Sequence, residues 1–381
     1  MSRPDHHRPD GRFRNPWPSA AGDDVLRRSA WRLALQWFLR RHPPDPTPEE
    51  LIRAATGEWV LAATGGPART NPDTRAHVPE AAGGRSHTNT TPGDVQVTWI
   101  GHATTLIQLP GLNLLIDPVW SERCSPLSFM GPRRFVPPPM PVGALPEIHA
   151  VLLSHDHYDH LDRPTVRALH RRFGDDLTWY TPLGYAAWFA KQGVTRVVER
   201  DWWEAAPLPG GRFEAVAVPA RHWTRRRPLG TNTRLWCGWV VRPAATTRAS
   251  PSTVRPTEAA GRIPPGPRVY IAGDSGYCPA FAEVGHRLGP FDACLVPIGA
   301  YEPRWFMGAA HMNPEEAVQA YLDAGGQGAF IPIHWGTWRL TFEDPLEPPV
   351  RLRAAWANAG LPTADLHVLR HGEMRGLPHT W

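Results

Sequence analysis

Lysine is almost missing from this chain: among 41 basic residues, Lys191 is the only lysine. The rest of the positive charge is arginine, set against 36 acidic residues, for a formal net charge of +5. No basic block is long enough to demand nucleic acid, so no nucleic-acid partner is expected. Codon bias explains the arginines as simply as a functional reading, in which guanidinium groups grip phosphate-bearing partners bidentately. Cysteine is scarce as well. Cys124, Cys237, Cys278 and Cys294 form no C-x-x-C pair and no dense framework, which argues against a disulfide scaffold and for reduced thiols. No apolar run approaches the roughly 20 residues that span a bilayer. The opening "MSRPDHHRPDGRFRNPWPS" lacks the apolar core of a signal peptide. A cytoplasmic location is therefore expected, with peripheral contact at the inner face of a membrane as the variant of it.

Proline and tryptophan are abundant, at 44 and 18 residues. So many prolines imply long loops and linkers, because proline fixes φ and removes a backbone donor. Tryptophans serve cores, and also places where an apolar body meets a polar edge. Hydrophobic residues at 41% and charged residues at 20% fit a folded protein rather than a disordered one.

Along the chain, residues 1–94 read as an N-terminal extension. Residues 1–22 are polar and broken by prolines, so mobility is expected there. "DDVLRRSAWRLALQWFLRRH" (23–42) has the spacing of an amphipathic helix, which either packs on the main domain or lies at an anionic bilayer. Residues 62–93 have linker composition. From 95 to 376 the texture changes to strand-like runs, such as "VQVTWIGHATTLIQL", "AVLLS", "FEAVAV", "RVYIAG" and "GAFIPI", with helical patterns between some of them. This alternation points to an α/β domain of two sheets, or one large sheet, covered by helices. Residues 243–267 interrupt the run and read as a disordered surface insertion.

The chemistry concentrates in "SHDHYDHLD" (154–162). Imidazole nitrogens and carboxylate oxygens suit zinc, iron and manganese alike. In H-x-H-x-D-H, His155 and His157 face one way while Asp159 and His160 face another, a split that suggests two cations. Two cations need more ligands than one loop supplies. His222 follows "FEAVAVPAR", Asp274 follows "RVYIAG", and His334 follows "GAFIPI". Each stands at or just beyond a strand end, where α/β proteins place ligand sites.

This constellation resembles the metallo-β-lactamase superfamily, whose four-layer αββα sandwich carries a dinuclear metal site along one edge. The resemblance assigns His155, His157 and His222 to one metal, Asp159, His160 and His334 to the other, and Asp274 to a bridge between them. A closer resemblance rests on "VTWIGHAT", "GPRRF", "SHDHYDHLD", "DWWE", "HWTRR", "AGDSGYCPAF", "GAYEPRWFM", "HMNPEEAV", "IHWGT" and "LEPPVRL". In that order they are similar to the N-acylphosphatidylethanolamine-hydrolysing phospholipase D family, from about residue 95 to 375. "RFRNPWPS" near the start is similar too, whereas residues 43–94 match poorly, as does the long insertion at 243–267.

The resemblance implies a hydrolase with two divalent metal ions, zinc by preference. It would cleave N-acylphosphatidylethanolamine to N-acylethanolamine and phosphatidic acid through a metal-bridging hydroxide. Asp159 would be both ligand and proton acceptor. His311, in "AAHMNPEE", would stabilise the transition state or protonate the leaving group, unless it is a loop residue beside a helix cap. Asp117, in "LLIDP", is a candidate for orienting a ligand imidazole. For His102, in "WIGHAT", a structural and a functional reading stand level. Arg304, Trp305 and Phe306 are candidates for lining a lipid approach, with packing as the other reading. The implied partner is a phospholipid substrate, and the family is compatible with a homodimer. The competing functions are a soluble phosphodiesterase, a sugar-phosphate lactonase, and a membrane-binding protein without activity.

Overall fold

The computed structural model describes residues 5–17, 44–58, 95–227, 229–245 and 265–379. Apolar runs from residue 95 onward form strands: β1 (Val95–Gly101), β2 (Thr104–Leu109), β3 (Leu112–Ile116), β4 (Ala150–Leu152), β5 (Thr178–Pro182) and β6 (Val197–Arg200). They continue with β7 (Ala205–Pro207), β8 (Phe213–Val218), β9 (Gly238–Pro243), β10 (Val269–Ile271), β11 (Ala293–Pro297), β12 (Ala329–Ile333) and β13 (Met374–Leu377). Among the described residues these make two sheets, ordered β13-β1-β2-β3-β4-β5-β6 and β12-β11-β10-β9-β8-β7. In the first, β13-β1-β2-β3 are antiparallel and β3 through β6 parallel. In the second, β10, β11 and β12 are parallel and the others antiparallel.

Side-chain alternation explains how the sheets stack. Ala150 and Leu152 of β4 join the core cluster that also holds Ala215, Ala217, Trp239 and Val241 from the second sheet. Val151, between them in sequence, points the other way with Leu115 and Trp179. That outer face is covered by α2 (Arg163–Phe173) and α3 (Ala186–Ala190), through Val166, Leu169 and Phe189. On the second sheet lie α4 (Ala280–Leu288), α6 (Pro314–Asp323) and α7 (Glu347–Asn358), while the short α5 (Arg304–Met307) stands in the connection between β11 and α6. Phe330 of β12 packs edge to face on Tyr321 of α6 and Trp356 of α7. The result is helix, sheet, sheet, helix.

Local chemistry fixes the helix starts next to the sheet edge that matters. Asp162 caps α2 by accepting the Thr165 amide, and Asn313 with Glu316 forms a reciprocal capping box on α6. Proline occupies the first turn of both, where its missing N–H costs nothing.

The expected helix at 23–42 and linker at 62–93 lie outside the described residues, as does 246–264 of the insertion. Residues 5–17 correct the expectation of a mobile start. Phe13 is buried in the main core, and its amide donates to the Asn232 carbonyl at 2.9 Å. A helix at Pro48–Thr56, with Thr47 and Glu50 as its capping box, also went unanticipated.

Gly285 of α4 passes so close to α6 that an added Cβ would stand 2.5 Å from the Ala324 carbonyl carbon. Backbone on both sides leaves no flexible atom to yield. Gly285→Ala is predicted to cost about 1–3 kcal/mol, by the usual penalty of overpacking, read as a lower urea midpoint with an unchanged slope.

Candidate metal centre

Six loops converge where the strands of both sheets end. His102 lies in the β1–β2 turn, Asp117 just past β3, the 154–160 loop after β4, His222 after β8, Asp274 after β10 and His334 after β12. His102, Asp117 and His334 have φ of 54°, 39° and 64°. Non-glycine residues seldom adopt this left-handed region, and where they do the surroundings hold them against local strain. Three such residues stand at one edge, His102 and His334 ring against ring at 3.8 Å and Asp117 against His160.

Outer hydrogen bonds fix which ring nitrogen faces inward. The Ser154 hydroxyl donates to Asp117 Oδ2 at 2.6 Å, so it accepts from His155 Nδ1 at 2.9 Å and leaves the His155 Nε2 lone pair inward. His222 Nδ1 donates to the Ala310 carbonyl at 3.0 Å, which turns its Nε2 lone pair inward too. Both lone pairs meet His157 Nδ1, at 2.8 and 3.2 Å. One nitrogen cannot donate to both, so three imidazoles converge on one point. Asp117 Oδ2 accepts from His160 Nδ1 at 2.8 Å, sending His160 Nε2 inward in the same manner.

The hub is Asp274. Its Oδ2 lies 3.0 Å from His334 Nε2, 3.1 Å from His160 Nε2, 3.8 Å from His155 and His222 Nε2, and 4.0 Å from His311 Nδ1. Asp159 Oδ2 stands 3.5 Å from His160 and 3.6 Å from His334, and accepts from His102 Nε2 at 3.0 Å. Burial opposes the charge on both carboxylates, yet the imidazoles, His160 foremost, hold them well below the usual carboxylate range. Burial also opposes charge on His160 and His334, but there Asp274 and Asp159 prevail. His160 is pushed well up and His334 to about 9. His155 and His311 are pushed well down, mainly by burial, and for the same reason His157 falls to about 4 and His222 and His102 to about 3.

Orphaned atoms test whether metal ions suit these residues. His160 Nε2, His311 Nδ1 and His334 Nε2, which face Asp274, are buried without a hydrogen-bond partner. The short approaches to Asp274 therefore lack hydrogen-bond geometry: the nitrogens aim past its oxygen, at shared points beside it. Unsatisfied buried nitrogens are costly. Imidazoles braced by outer partners, around ionised carboxylates, are the donor set of a transition-metal centre. The fit is good.

Every expected candidate ligand reaches this edge. Ligand atoms of His155, His157 and His222 cluster within 4.8 Å of one another, as do those of His102, Asp159, His160 and His334. Asp117 touches His160, as a brace would. Arg304 Nη2 donates to both carboxylate oxygens of Glu316 at 2.7 and 2.8 Å, and its Nη1 donates to the His311 carbonyl at 2.9 Å. Phe306 is buried, whereas Trp305 is 43% exposed. Ser154 was missed, because a lone serine before a histidine carries no signal until its partners in space are known.

Known proteins can now be compared. Residues 112–335, over half of the chain, match the family model of the beta-lactamase superfamily domain. The chain belongs to the metallo-β-lactamase superfamily. Within it, the chain belongs to the N-acylphosphatidylethanolamine-hydrolysing phospholipase D family. It is 38% identical to N-acyl-phosphatidylethanolamine-hydrolyzing phospholipase D 1 of Caenorhabditis elegans, over 67% of this chain and 68% of that protein. An uncharacterized protein of Mycobacterium tuberculosis is 43% identical over 68% of this chain, and the match spans 63% of that protein's length. Among solved structures, isothiocyanate hydrolase from Delia radicum gut bacteria superposes with a TM-score of 0.54 at 20% identity, covering 74% of this chain and 98% of that one. At that identity the likeness shows the fold, a superfamily αββα sandwich.

Two predictions follow from the braces and the proton distribution. Asp117→Asn removes the negative partner of His160 and is predicted to weaken metal retention about 10–100-fold, read by competition against a chelator. Metal-free protein should be most stable near pH 6.5. His102, His157 and His222 titrate near 3–4 folded and 6.5 unfolded, so the stability they contribute is lost as pH falls below 6.5. His334, raised to about 9, contributes stability below 6.5 that is lost as pH rises through 9. Thermal melts at pH 5, 6.5 and 9 check both limbs; a midpoint that climbs steadily to pH 9 contradicts this.

Proposed function

We propose that this chain is a metal-dependent phosphodiester hydrolase that cleaves N-acylphosphatidylethanolamine to N-acylethanolamine and phosphatidic acid. The observation that carries the proposal is the Asp274 hub, where one carboxylate oxygen meets five imidazoles between two donor clusters. In this reading His155, His157 and His222 would hold one divalent ion and Asp159, His160 and His334 a second, with Asp274 available to both. Zinc is the preferred ion, and iron and manganese accept the same donors. When bound, such ions acidify water toward neutral pH and neutralise charge at a phosphoryl group.

The chain's own residues do the rest. Asp159 holds an ionised carboxylate beside the centre, oriented by His102, and can take a proton from the attacking water. His311, with Nδ1 unpartnered and its ring 5.0 Å from that of His222, is placed to donate to a phosphoryl or leaving-group oxygen. Arg304 fixes His311 by holding its carbonyl, so Arg304 acts here as a positioning residue.

A phospholipid substrate has further support beside the 154–160 loop. A cavity of about 520 Å³ is lined by Tyr158, Trp188, Arg163, Arg227, Arg234 and Arg226, whose Nη1 donates to the Asp156 and Leu161 carbonyls, and also by Glu122 and Asp162. The segment along its rim exposes Phe129 and Met130. Guanidinium groups suit an anionic headgroup, and the apolar rim suits acyl chains. The relative in C. elegans bears the name of this activity.

Purified protein of defined zinc content is expected to release N-acylethanolamine from N-acylphosphatidylethanolamine in mixed micelles. His155→Ala and Asp274→Asn should release none. His311→Gln should lower kcat by about 10²–10³-fold, the usual cost of losing one transition-state donor, with KM little changed. Turnover of a soluble phosphodiester without release from several N-acyl lipids contradicts the proposal.

A further inference from the structure

Away from the Asp274 hub, the described residues hold one other convergence of imidazoles on a carboxylate. His6 Nε2 stands 2.6 Å from Asp201 Oδ1, and His7 Nε2 stands 2.7 Å from Asp201 Oδ2. The three ligand atoms all lie within 4.8 Å of one another. Consecutive residues of an extended chain point to opposite sides, so it takes a defined bend to bring both rings to one carboxylate. That bend is built. His7 pairs antiparallel with Phe13, and the Arg8 amide donates to the Arg12 carbonyl at 2.8 Å across the turn between.

Each donor is also braced from outside, as in the Asp274 centre. The His6 ring stacks on Trp202 at 4.1 Å, and the His7 ring meets Phe13 edge to face at 5.1 Å. The Asp201 amide donates to Glu204 Oε2, and the Trp202 amide donates to Asp201 Oδ1. The side chains of His6, His7 and Asp201 are 9%, 16% and 16% exposed, enough to admit an ion and a water but not to leave the group fully hydrated. Two imidazole nitrogens and a carboxylate form a common zinc donor set.

We propose that His6, His7 and Asp201 form a further divalent-metal site, which takes zinc through both Nε2 atoms and the Asp201 carboxylate, with water completing the coordination. On binding, each neutral imidazole carries its proton on Nδ1 and gives the Nε2 lone pair to the metal. Two N–H···O contacts are exchanged for metal bonds, and no redox partner is needed.

The site straps residues 5–17 onto the loop between β6 and β7, and the same segment reaches the loop that carries His222. From this segment Asn15 donates to the His222 carbonyl at 3.0 Å, the Phe13 amide donates to Asn232, and Trp17 stacks on Trp202. A metal at Asp201 therefore fixes the backbone of one imidazole in the Asp274 centre without touching that centre.

The test is a zinc count. Full-length protein is stripped with chelator, reloaded with zinc, gel-filtered and analysed for metal per chain. His7→Gln keeps a donor near the carboxylate, and Asp201→Asn is isosteric, so the fold is retained in both, as near-UV circular dichroism checks. Each variant is expected to hold one zinc fewer than wild type. Equal counts in wild type and both variants overturn the proposal and leave a purely hydrogen-bonded latch. Repeating the subtraction in an Asp274→Asn background separates the two centres. A one-ion difference that persists there supports this site whatever the Asp274 centre holds. Its disappearance in both backgrounds sinks this site alone.

Discussion

One oxygen atom, Asp274 Oδ2, organises the molecule. Five imidazole nitrogens approach it within 4.0 Å, in a place from which water is largely excluded. A buried carboxylate is tolerable only among positive partners or metal ions, so the chain must deliver those partners from widely separated segments. That requirement explains why loops after strands of both sheets end at one edge. It also explains the left-handed backbone at His102, Asp117 and His334, which turns each side chain sharply out of its strand.

A second layer holds the first in place. Ser154 and Asp117 set the tautomers of His155 and His160, and the Ala310 carbonyl sets that of His222. Ala310 belongs to the short segment between α5 and α6, which Arg304 ties to Glu316 and to the His311 carbonyl. Asn15, from the N-terminal strap, holds the other side of His222 through its backbone. Each brace restricts a ring to the one nitrogen that faces inward, so the donor set is prepared before any ion arrives.

Much of this was legible in the sequence, for a physical reason. The candidate ligand histidines and aspartates sit directly after apolar strands, so "AVLLS", "FEAVAV", "RVYIAG" and "GAFIPI" announce both the sheets and the convergence of these side chains at once. Asp117 was legible in the same way. Ser154 and the Ala310 carbonyl were not, because their roles exist only between segments brought together by folding. The His6–His7 pair was hidden differently: it lies in a polar, proline-broken stretch whose composition argues for mobility. What orders that stretch is Phe13 in the core and Asp201 nearly 200 residues away, and neither leaves a periodic trace. Arg304 has a partner that its sequence neighbours do not reveal. An arginine beside aromatics suggests a phosphate ligand, and in the fold its guanidinium meets Glu316, in the capping box of α6.

The account stands or falls on the Asp274 hub as a paired metal centre. The most direct measurement is anomalous diffraction at the zinc edge on crystals of the zinc-loaded protein. Two peaks flanking Asp274 Oδ2, about 3.5–4 Å apart as in other two-metal sites, are predicted, one among His155, His157 and His222 and the other among Asp159, His160 and His334. No peak at this edge, or a single peak that Asp274 does not touch, would contradict the account.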